Sequence, residues 1–263
     1  MFHPDGPTFL ELARQALQST QRGYDLLAPK FDHTPFRTPD PILEAMADLI
    51  GPPRSIGSAL DVCCGTGAAM RWLLPLCTER VVGIDFSDGM LAEAKRRLEA
   101  ADVPGGAGDA PPPASVELVR GEAMNLPFEG EFDVVTCVGA FGHIEPKDEA
   151  PFVRGIFRAL RVGGRFVFAT SLRPTPRHRA FWLAHGFNGV MHVRNAILSP
   201  PFIMYYLTFL WPEVRGVLEG AGFRVEAVTG KCPPPYDGCV IVIAHKEPPA
   251  ARTASIPAAT EAP

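Results

Sequence analysis

The strongest signal in this chain is Ala59-Leu60-Asp61-Val62-Cys63-Cys64-Gly65-Thr66-Gly67, which is followed by Val81-Val82-Gly83-Ile84-Asp85. The first segment predicts a short apolar strand and a glycine turn that opens a helix, and the second predicts a strand that ends on a carboxylate. Gly65 and Gly67 have no side chains, so the backbone can turn sharply there and a ligand can lie against it. Asp85 suits the acidic residue that holds a ribose at the end of the second strand of a nucleoside-binding unit.

The glycine turn departs from the dinucleotide-binding pattern. In G-x-G-x-x-G the third glycine would fall on Met70. Asp61 stands four residues before Gly65, at the end of the predicted strand. Its negative charge suits a ligand with an ammonium group and would repel a pyrophosphate. The sequence therefore disfavours a nicotinamide-dependent reductase, and the Gly163-Gly164 turn counts against that class as well.

Further motifs follow in a fixed order between residues 59 and 171. After the glycine turn come Asp85-Phe86-Ser87-Asp88-Gly89-Met90-Leu91, Gly121-Glu122-Ala123-Met124-Asn125-Leu126-Pro127-Phe128, Phe132-Asp133-Val134-Val135 and Arg158-Ala159-Leu160-Arg161-Val162-Gly163-Gly164-Arg165-Phe166. Together these five motifs resemble those of the class I S-adenosylmethionine-dependent methyltransferases, whose first motif reads roughly D-x-G-x-G-x-G. Cys63 replaces the first glycine, a departure that also occurs in the quinone-biosynthesis methyltransferases and their small-molecule relatives.

The resemblance implies S-adenosylmethionine as cofactor and gives roles to individual residues. Asp85 would accept both ribose hydroxyls, with a strand-end cap as the alternative. Asp61 would hold the ammonium group directly or through water, with a turn-forming side chain as the alternative. Tyr24 would close over the cofactor, where its ring suits the sulfonium charge. The other cofactor-binding residues that the resemblance implies are Cys63, Gly65, Thr66, Gly67, Phe86, Met90, Glu122, Ala123, Met124, Cys137 and Val138.

Residues 137–143, after the fourth predicted strand, face the methyl group in this family. They lack the Asn/Asp-Pro-Pro-Tyr signature of the branches that methylate base amines and protein amides. His143 is the candidate general base, because imidazole titrates near neutrality; the alternative is a histidine that caps the next helix or orients the loop. His192 and Arg194 are alternative substrate contacts or surface residues, and Arg37 is a candidate partner for the cofactor carboxylate.

Alternating strand and helix patterns predict an α/β fold with a doubly wound, Rossmann-like, mostly parallel seven-stranded sheet. We expect helices on both faces, an antiparallel C-terminal edge hairpin and a helical cap. Residues 1–50 form the predicted N-terminal helical cap segment, 51–246 the methyltransferase domain, and 247–263 a disordered tail. The predicted strands are 58–63, 80–85, 115–120, 132–138, 164–170, 223–229 and 239–244, and the predicted helices include 8–21, 67–78, 87–100 and 147–161, with a loop at 101–114.

Residues 172–211, here called the insert, interrupt this plan. The family core needs only a short link between the fifth strand and the next helix, yet about forty residues intervene and many are aromatic. Insertions at the carboxyl end of the sheet lie over the ligand crevice in doubly wound folds. We expect a lid over an apolar substrate, and the alternatives are simple packing on the domain or a dimer contact.

Bulk properties limit the function further. A net charge of -4 gives no reason to expect nucleic acid. The six cysteines include no C-x-x-C pair, so neither a zinc site nor a disulfide framework is predicted and a cytoplasmic location is the default. No signal peptide or transmembrane segment is predicted, whereas the apolar run 196–211 leaves peripheral membrane contact open. The sequence is compatible with a monomer or a homodimer.

The predicted function is therefore methyl transfer from S-adenosylmethionine to a small or lipid-like apolar acceptor, at oxygen or carbon rather than nitrogen. Quinone or polyketide-type phenols, fatty-acid-derived acceptors and phospholipid amines are all compatible with the sequence. The alternative is a cofactor-binding protein of the same fold without methyl-transfer activity.

Overall fold

One sheet of seven strands organises residues 3–100 and 114–248, the part of this computed structural model that is described. The strand order is β3-β2-β1-β4-β5-β7-β6, and only β7 runs antiparallel to its neighbours β5 and β6. The predicted mostly parallel sheet with an antiparallel edge pair is confirmed. The strands are β1 Ile56–Val62, β2 Cys77–Asp85, β3 Ser115–Arg120, β4 Phe132–Cys137, β5 Leu160–Ser171, β6 Arg224–Thr229 and β7 Cys239–His245.

Helices cover both faces of the sheet, as predicted. Successive side chains of a strand point to opposite faces. Leu60 of β1 therefore packs in a cluster that includes Phe152, whereas Ala59 packs in a second cluster that includes Met46 and Met70. The helices are α1 Phe9–Ala16, α2 Thr20–Leu27, α3 Asp40–Ile50, α4 Ala68–Leu73, α5 Asp88–Ala100, α6 Glu149–Ala159, α7 Arg179–Ile197 and α8 Glu213–Gly220.

The strand order reverses where β1 lies between β2 and β4, both of which run parallel to it. In doubly wound sheets ligands bind outside the carboxyl ends of the strands at such a point. Residues 63–67, which follow β1, and residues 138–143, which follow β4, flank this crevice. The topology alone thus brings the glycine turn and the segment around His143 together.

The predicted boundaries of two helices are wrong. The helix expected over 8–21 is two helices, because Ser19 caps a new one by accepting a hydrogen bond from the Arg22 amide at 3.3 Å. The helix expected over 67–78 ends at Leu73 and continues as one 3-10 turn, Leu74–Leu76, that contains Pro75. Strand β2 consequently begins earlier than expected, at Cys77.

The insert begins with an exposed link and continues as α7. After α7 the chain returns across the carboxyl ends of β4 and β5. This return segment has no regular secondary structure among the described residues apart from a bridge between Leu172 and Trp211. On its way back the Tyr205 amide donates to the Gly142 carbonyl at 2.8 Å, and the Thr170 hydroxyl donates to the Phe209 carbonyl at 2.8 Å. The return segment therefore packs directly on the loop that carries His143.

No helix among residues 3–100 and 114–248 has both the length and the apolarity that crossing a bilayer requires. The loop expected at 101–114 and the tail expected at 247–263 lie almost entirely outside the described residues.

Candidate active site

A cleft of about 740 Å³, here called the inner cleft, opens at the carboxyl ends of β1 and β4. The glycine turn forms its floor, and the N-terminal segment forms its roof through residues such as Tyr24 and Phe31. The predicted site residues that line it are Tyr24, Asp61, Cys63, Gly65, Thr66, Asp85, Phe86, Met90, Val138 and His143.

The two glycines of the turn serve different purposes. Both have positive φ, 53° at Gly65 and 79° at Gly67, a region that favours glycine. A Cβ placed on Gly65 would meet no atom within 4 Å, so this residue leaves space in the cleft. A Cβ on Gly67 would approach Leu98 at 3.3 Å and Ala94 at 3.4 Å. Gly67 thus allows close packing against α5, while Gly65 allows a ligand to approach the backbone.

Asp85 is buried at the end of β2 and its carboxylate faces the glycine turn. It accepts hydrogen bonds at 2.9 Å from the amides of Gly65 and Ser87. Burial raises the pKa of Asp85, while these backbone donors oppose that increase. The carboxylate is therefore held in one orientation at the rim of the inner cleft, which suits a residue that accepts hydrogen bonds from a diol.

Asp61 is also buried and accepts a hydrogen bond from the Thr136 hydroxyl at 2.7 Å. Burial raises the pKa of Asp61 to about 7; the Thr136 bond opposes this increase, and the nearby Asp85 adds to it. Among the ion pairs of the described residues, none involves Asp61 or Asp85. Two carboxylates without a cationic partner make this cleft complementary to a ligand that carries a positive charge.

The N-terminal segment is fastened to the site by two aspartates that the sequence interpretation missed. Asp25 accepts from the Ser87 hydroxyl at 2.6 Å and from the Gly89 amide at 3.0 Å, at the start of α5. Asp32 accepts from the Thr66 hydroxyl at 2.6 Å and from the Arg97 guanidinium at 2.5 Å. The signal was present as the two Tyr/Phe-Asp pairs, Tyr24-Asp25 and Phe31-Asp32.

Tyr24 and His143 form a hydrogen-bonded pair between the roof and the loop after β4. The Tyr24 hydroxyl lies 2.8 Å from His143 Nε2, and His143 Nδ1 contacts the Ile203 carbonyl oxygen. Since a carbonyl only accepts, Nδ1 carries the proton and Nε2 accepts from the tyrosine. Burial lowers the pKa of His143 and, together with Asp85, raises the pKa of Tyr24. The imidazole is therefore neutral and the phenol protonated near pH 7.

The remaining predicted site residues are divided between two places. Glu122, Ala123 and Met124 line a neighbouring cleft of about 630 Å³ beside Phe86, on the side where the resemblance places adenine. Cys137 is fully buried at the end of β4, so its side chain does not reach the inner cleft. The next residue, Val138, lines that space.

Three further candidates contact other protein groups. Arg194 donates to the carbonyls of Ala16, Gln18 and Pro200, which makes it an anchor of α7. His192 is exposed and stacks on the Tyr205 ring. Arg37 lines the inner cleft, where its guanidinium lies 2.6 Å from Asp40 and 3.5 Å from Asp32.

A second space of about 1540 Å³, here called the outer cleft, lies beside the inner one and shares lining residues with it. Tyr24, Val138, Gly139 and His143 line both. The other walls of the outer cleft come from the N-terminal segment, the loop before β7 and the insert. Its apolar and aromatic lining includes Phe31, Phe36, Ile42, Phe141, Met204, Tyr205, Tyr206, Leu207, Leu210 and Tyr236.

Comparisons with known proteins agree with this geometry. A family model described as a methyltransferase domain matches residues 59–164. The demethylmenaquinone methyltransferase of Staphylococcus saprophyticus is 36% identical over 194 residues, which cover 67% of this chain and 76% of that relative. The demethylmenaquinone methyltransferase of Lactococcus lactis is 36% identical over 139 residues, which cover 51% of this chain and about half (47%) of that relative.

Solved structures share the fold. An O-methyltransferase family protein from Burkholderia thailandensis superposes with a TM-score of 0.64 at 16% identity, over 91% of this chain and 67% of that one. A complex of DhpI with SAH superposes with a TM-score of 0.60 at 18% identity, over 92% of this chain and the whole of that one. The chain belongs to the class I S-adenosylmethionine-dependent methyltransferases, in the small-molecule branch that includes quinone-biosynthesis enzymes.

The inner cleft fits S-adenosylmethionine as the cofactor. Two buried carboxylates without a cationic partner suit its ammonium and ribose hydroxyl groups, and Gly65 leaves the floor open. Phe86 and Met90 add apolar surface beside Asp85. The two carboxylates would repel a pyrophosphate, because both groups are negatively charged.

Proposed function

We propose that this methyltransferase acts on a small apolar acceptor of the quinol or phenol class, at carbon or oxygen, in the cytoplasm. The observation that carries the proposal is the outer cleft, whose aromatic lining opens onto the inner cleft at Val138, Gly139 and His143. The names of the curated relatives, which are demethylmenaquinone methyltransferases, support an acceptor of this kind. Absence of Asn-Pro-Pro-Tyr after β4 argues against a base amine.

The inner cleft supplies the residues that would hold the donor. Asp85 would accept the two ribose hydroxyls, Asp61 would bind the ammonium group, and the Gly65 backbone would pass beneath the methionine portion. When bound, the cofactor supplies a methyl group on a sulfonium, whose leaving group is a neutral thioether. The protein's task is then to align the acceptor with that methyl and to exclude water.

The Tyr24–His143 pair would remove the acceptor's hydroxyl proton. The acceptor hydroxyl donates to the Tyr24 oxygen while Tyr24 donates its own proton to His143 Nε2, where that proton stays. The Ile203 carbonyl, which already accepts from Nδ1, stabilises the imidazolium that results. Ionising a phenol raises the electron density on its oxygen and on the ring carbons ortho and para to it, so the same step serves O- or C-methylation. After C-methylation the methylated ring carbon loses its proton to water, which restores the aromatic ring.

The test is methyl transfer from methyl-labelled S-adenosylmethionine to a panel of acceptors. The panel contains hydroquinones with and without a prenyl tail, simple phenols, phosphatidylethanolamine and tRNA. We expect label in the hydroquinones or phenols. Label only in tRNA or phospholipid would refute the acceptor class. Cofactor binding without transfer to any acceptor would instead indicate a binding protein without turnover.

The relay is tested with two histidine variants. His143→Ala is expected to reduce kcat by about 10²- to 10⁴-fold, the usual contribution of a general base. His192→Ala, which removes an exposed histidine of the insert, is the matched control and should leave kcat nearly unchanged. Calorimetry with S-adenosylhomocysteine checks that both variants retain cofactor binding. Equal turnover in the two variants would exclude the relay and leave alignment as the source of catalysis.

A further inference from the structure

Helix α7 presents an apolar stripe to the outside of the molecule. The exposed fractions are 65% at Trp182, 68% at Leu183, 66% at Val190, 60% at Val193 and 74% at Ile197. With 3.6 residues per turn, these positions fall on one side of the helix. The opposite side contains Ala184 and Met191, which are buried. The helix is thus apolar on the face that it turns away from the protein.

Helix α1 repeats this arrangement next to α7. Phe9 is 79% exposed, Leu10 is 76% exposed and Leu17, at its C-cap, is 59% exposed, while Gln15 is buried. Arg194 of α7 donates to two carbonyls at the end of α1, those of Ala16 and Gln18, both at 2.9 Å. The C-terminal end of α1 therefore lies beside the last turns of α7. Soluble monomers rarely leave large continuous apolar patches exposed without a binding purpose.

The charge around this surface differs from that of the chain as a whole. Net charge is -4 overall, yet residues 172–212 contain four arginines and no aspartate or glutamate. Arg177 and Arg179 stand exposed at the start of α7, and neither forms an ion pair within the described residues. Positive charge beside an exposed apolar surface that contains a tryptophan is complementary to the interface of an anionic membrane.

We propose that α7 and α1 together form a docking surface for an anionic lipid bilayer, with α7 lying in the plane of the interface. Arg177 and Arg179 stand at the N-terminal end of the α7 stripe. Anionic headgroups are complementary to them. The proposal is independent of the acceptor class, because it concerns binding to lipid and not turnover.

Sedimentation with lipid vesicles tests the proposal directly. We expect binding to vesicles that mix phosphatidylcholine with phosphatidylglycerol, and much weaker binding to phosphatidylcholine alone. In Val193→Ser/Ile197→Ser the partition coefficient should fall by about tenfold, because buried methylene groups supply the apolar part of binding. Val162→Ser/Val116→Ser is the matched control; Val162 is 59% exposed, like Val193, but lies on β5, at the register shift between Leu160 and Arg165. It should bind like the wild type.

Two charge-reversal double variants measure the electrostatic contribution to vesicle binding. Arg177→Glu/Arg179→Glu should weaken binding to the mixed vesicles by about fivefold or more for each arginine. Lys95→Glu/Arg154→Glu carries the same change in charge on helices α5 and α6 and should bind like the wild type, apart from a small effect of net charge. Circular dichroism and S-adenosylhomocysteine binding confirm that every variant is folded.

Three results would overturn the proposal. The first is no binding of the folded wild type to the mixed vesicles. The second is equal loss of binding in the stripe variant and its Val162/Val116 control. The third is a wild-type dimer in light scattering that the Val193/Ile197 variant converts to a monomer while vesicle binding is unchanged, a result that would assign the surface to a second copy of the chain.

Discussion

The inner and outer clefts are adjacent but are built in different ways. The floor of the inner cleft consists of residues at and just after the carboxyl ends of β1, β2 and β4, and its two carboxylates are buried and hydrogen-bonded. The outer cleft depends on the insert, which is held largely by side chains that bond to backbone, such as Asn195 and Asn188. The sheet thus specifies the donor side, whereas the acceptor side can change without altering the sheet.

Electrostatics sharpens this contrast. Burial raises the pKa of both Asp61 and Asp85, so the ionised inner cleft is costly without a cationic ligand. The described part of the insert contains no acidic residue and presents apolar side chains. We therefore expect pH and cofactor binding to change the stability of the inner cleft. For the outer cleft we expect changes in apolar contact to alter the binding of the acceptor.

The largest effect is expected at Asp61. Its raised pKa means that the folded state binds a proton more tightly than the unfolded state, so stability falls as pH rises through about 7. Between pH 5 and pH 8 this single group should lower the free energy of unfolding by about 3 kcal/mol. Urea unfolding of the wild type and Asp61→Asn at both pH values measures it. The same pH dependence of stability in both proteins would show that Asp61 is not its source.

Gly65 tests whether the floor of the inner cleft must stay open. In Gly65→Ala the new methyl group points into the cleft, and we expect S-adenosylhomocysteine to bind roughly thirtyfold more weakly, a loss of about 2 kcal/mol. Gly130→Ala is the control, because Gly130 also has positive φ, 63°, and a Cβ there meets nothing within 4 Å. Both variants share the backbone strain. Equal affinities in the two would show that the cleft tolerates the methyl group.

The smallest effect is expected in the insert. Asn195 accepts from the Phe202 amide at 2.9 Å and donates to the Phe202 carbonyl and the Tyr205 hydroxyl at 3.1 Å. Asn195→Ala should loosen this wall of the outer cleft by about 1 kcal/mol. We expect KM for the acceptor to rise severalfold while cofactor affinity stays constant, as steady-state kinetics and calorimetry would measure. A fall in cofactor affinity of the same size would mean that the clefts are not separable.

Prediction from sequence succeeded where one local pattern determined the structure. The mostly parallel seven-stranded sheet with its antiparallel edge pair and the positions of Asp61, Gly65 and Asp85 follow from period, turn chemistry and the rules for parallel sheets. Boundaries were less accurate, because Ser19 and Pro75 interrupt helices whose apolar spacing continues past them.

Contacts between distant segments were beyond reach of the sequence. Asp25 and Asp32 bond to groups more than thirty residues away, at Ser87, Thr66 and Arg97, so nothing near them in the chain indicates their partners. The course of the insert could not be predicted either. Its return segment is held by single bonds such as Tyr205 to Gly142, which leave no periodic pattern.

We propose that the two buried carboxylates of the inner cleft hold the cofactor. Calorimetric titration of S-adenosylhomocysteine into the wild type, Asp85→Ala and Asp88→Ala tests it most directly. Asp88, three residues along, is exposed and pairs with Arg120, so it controls for loss of a carboxylate. We predict saturable binding to the wild type and Asp88→Ala, and loss of detectable binding in folded Asp85→Ala. Equal binding to all three proteins would contradict the claim.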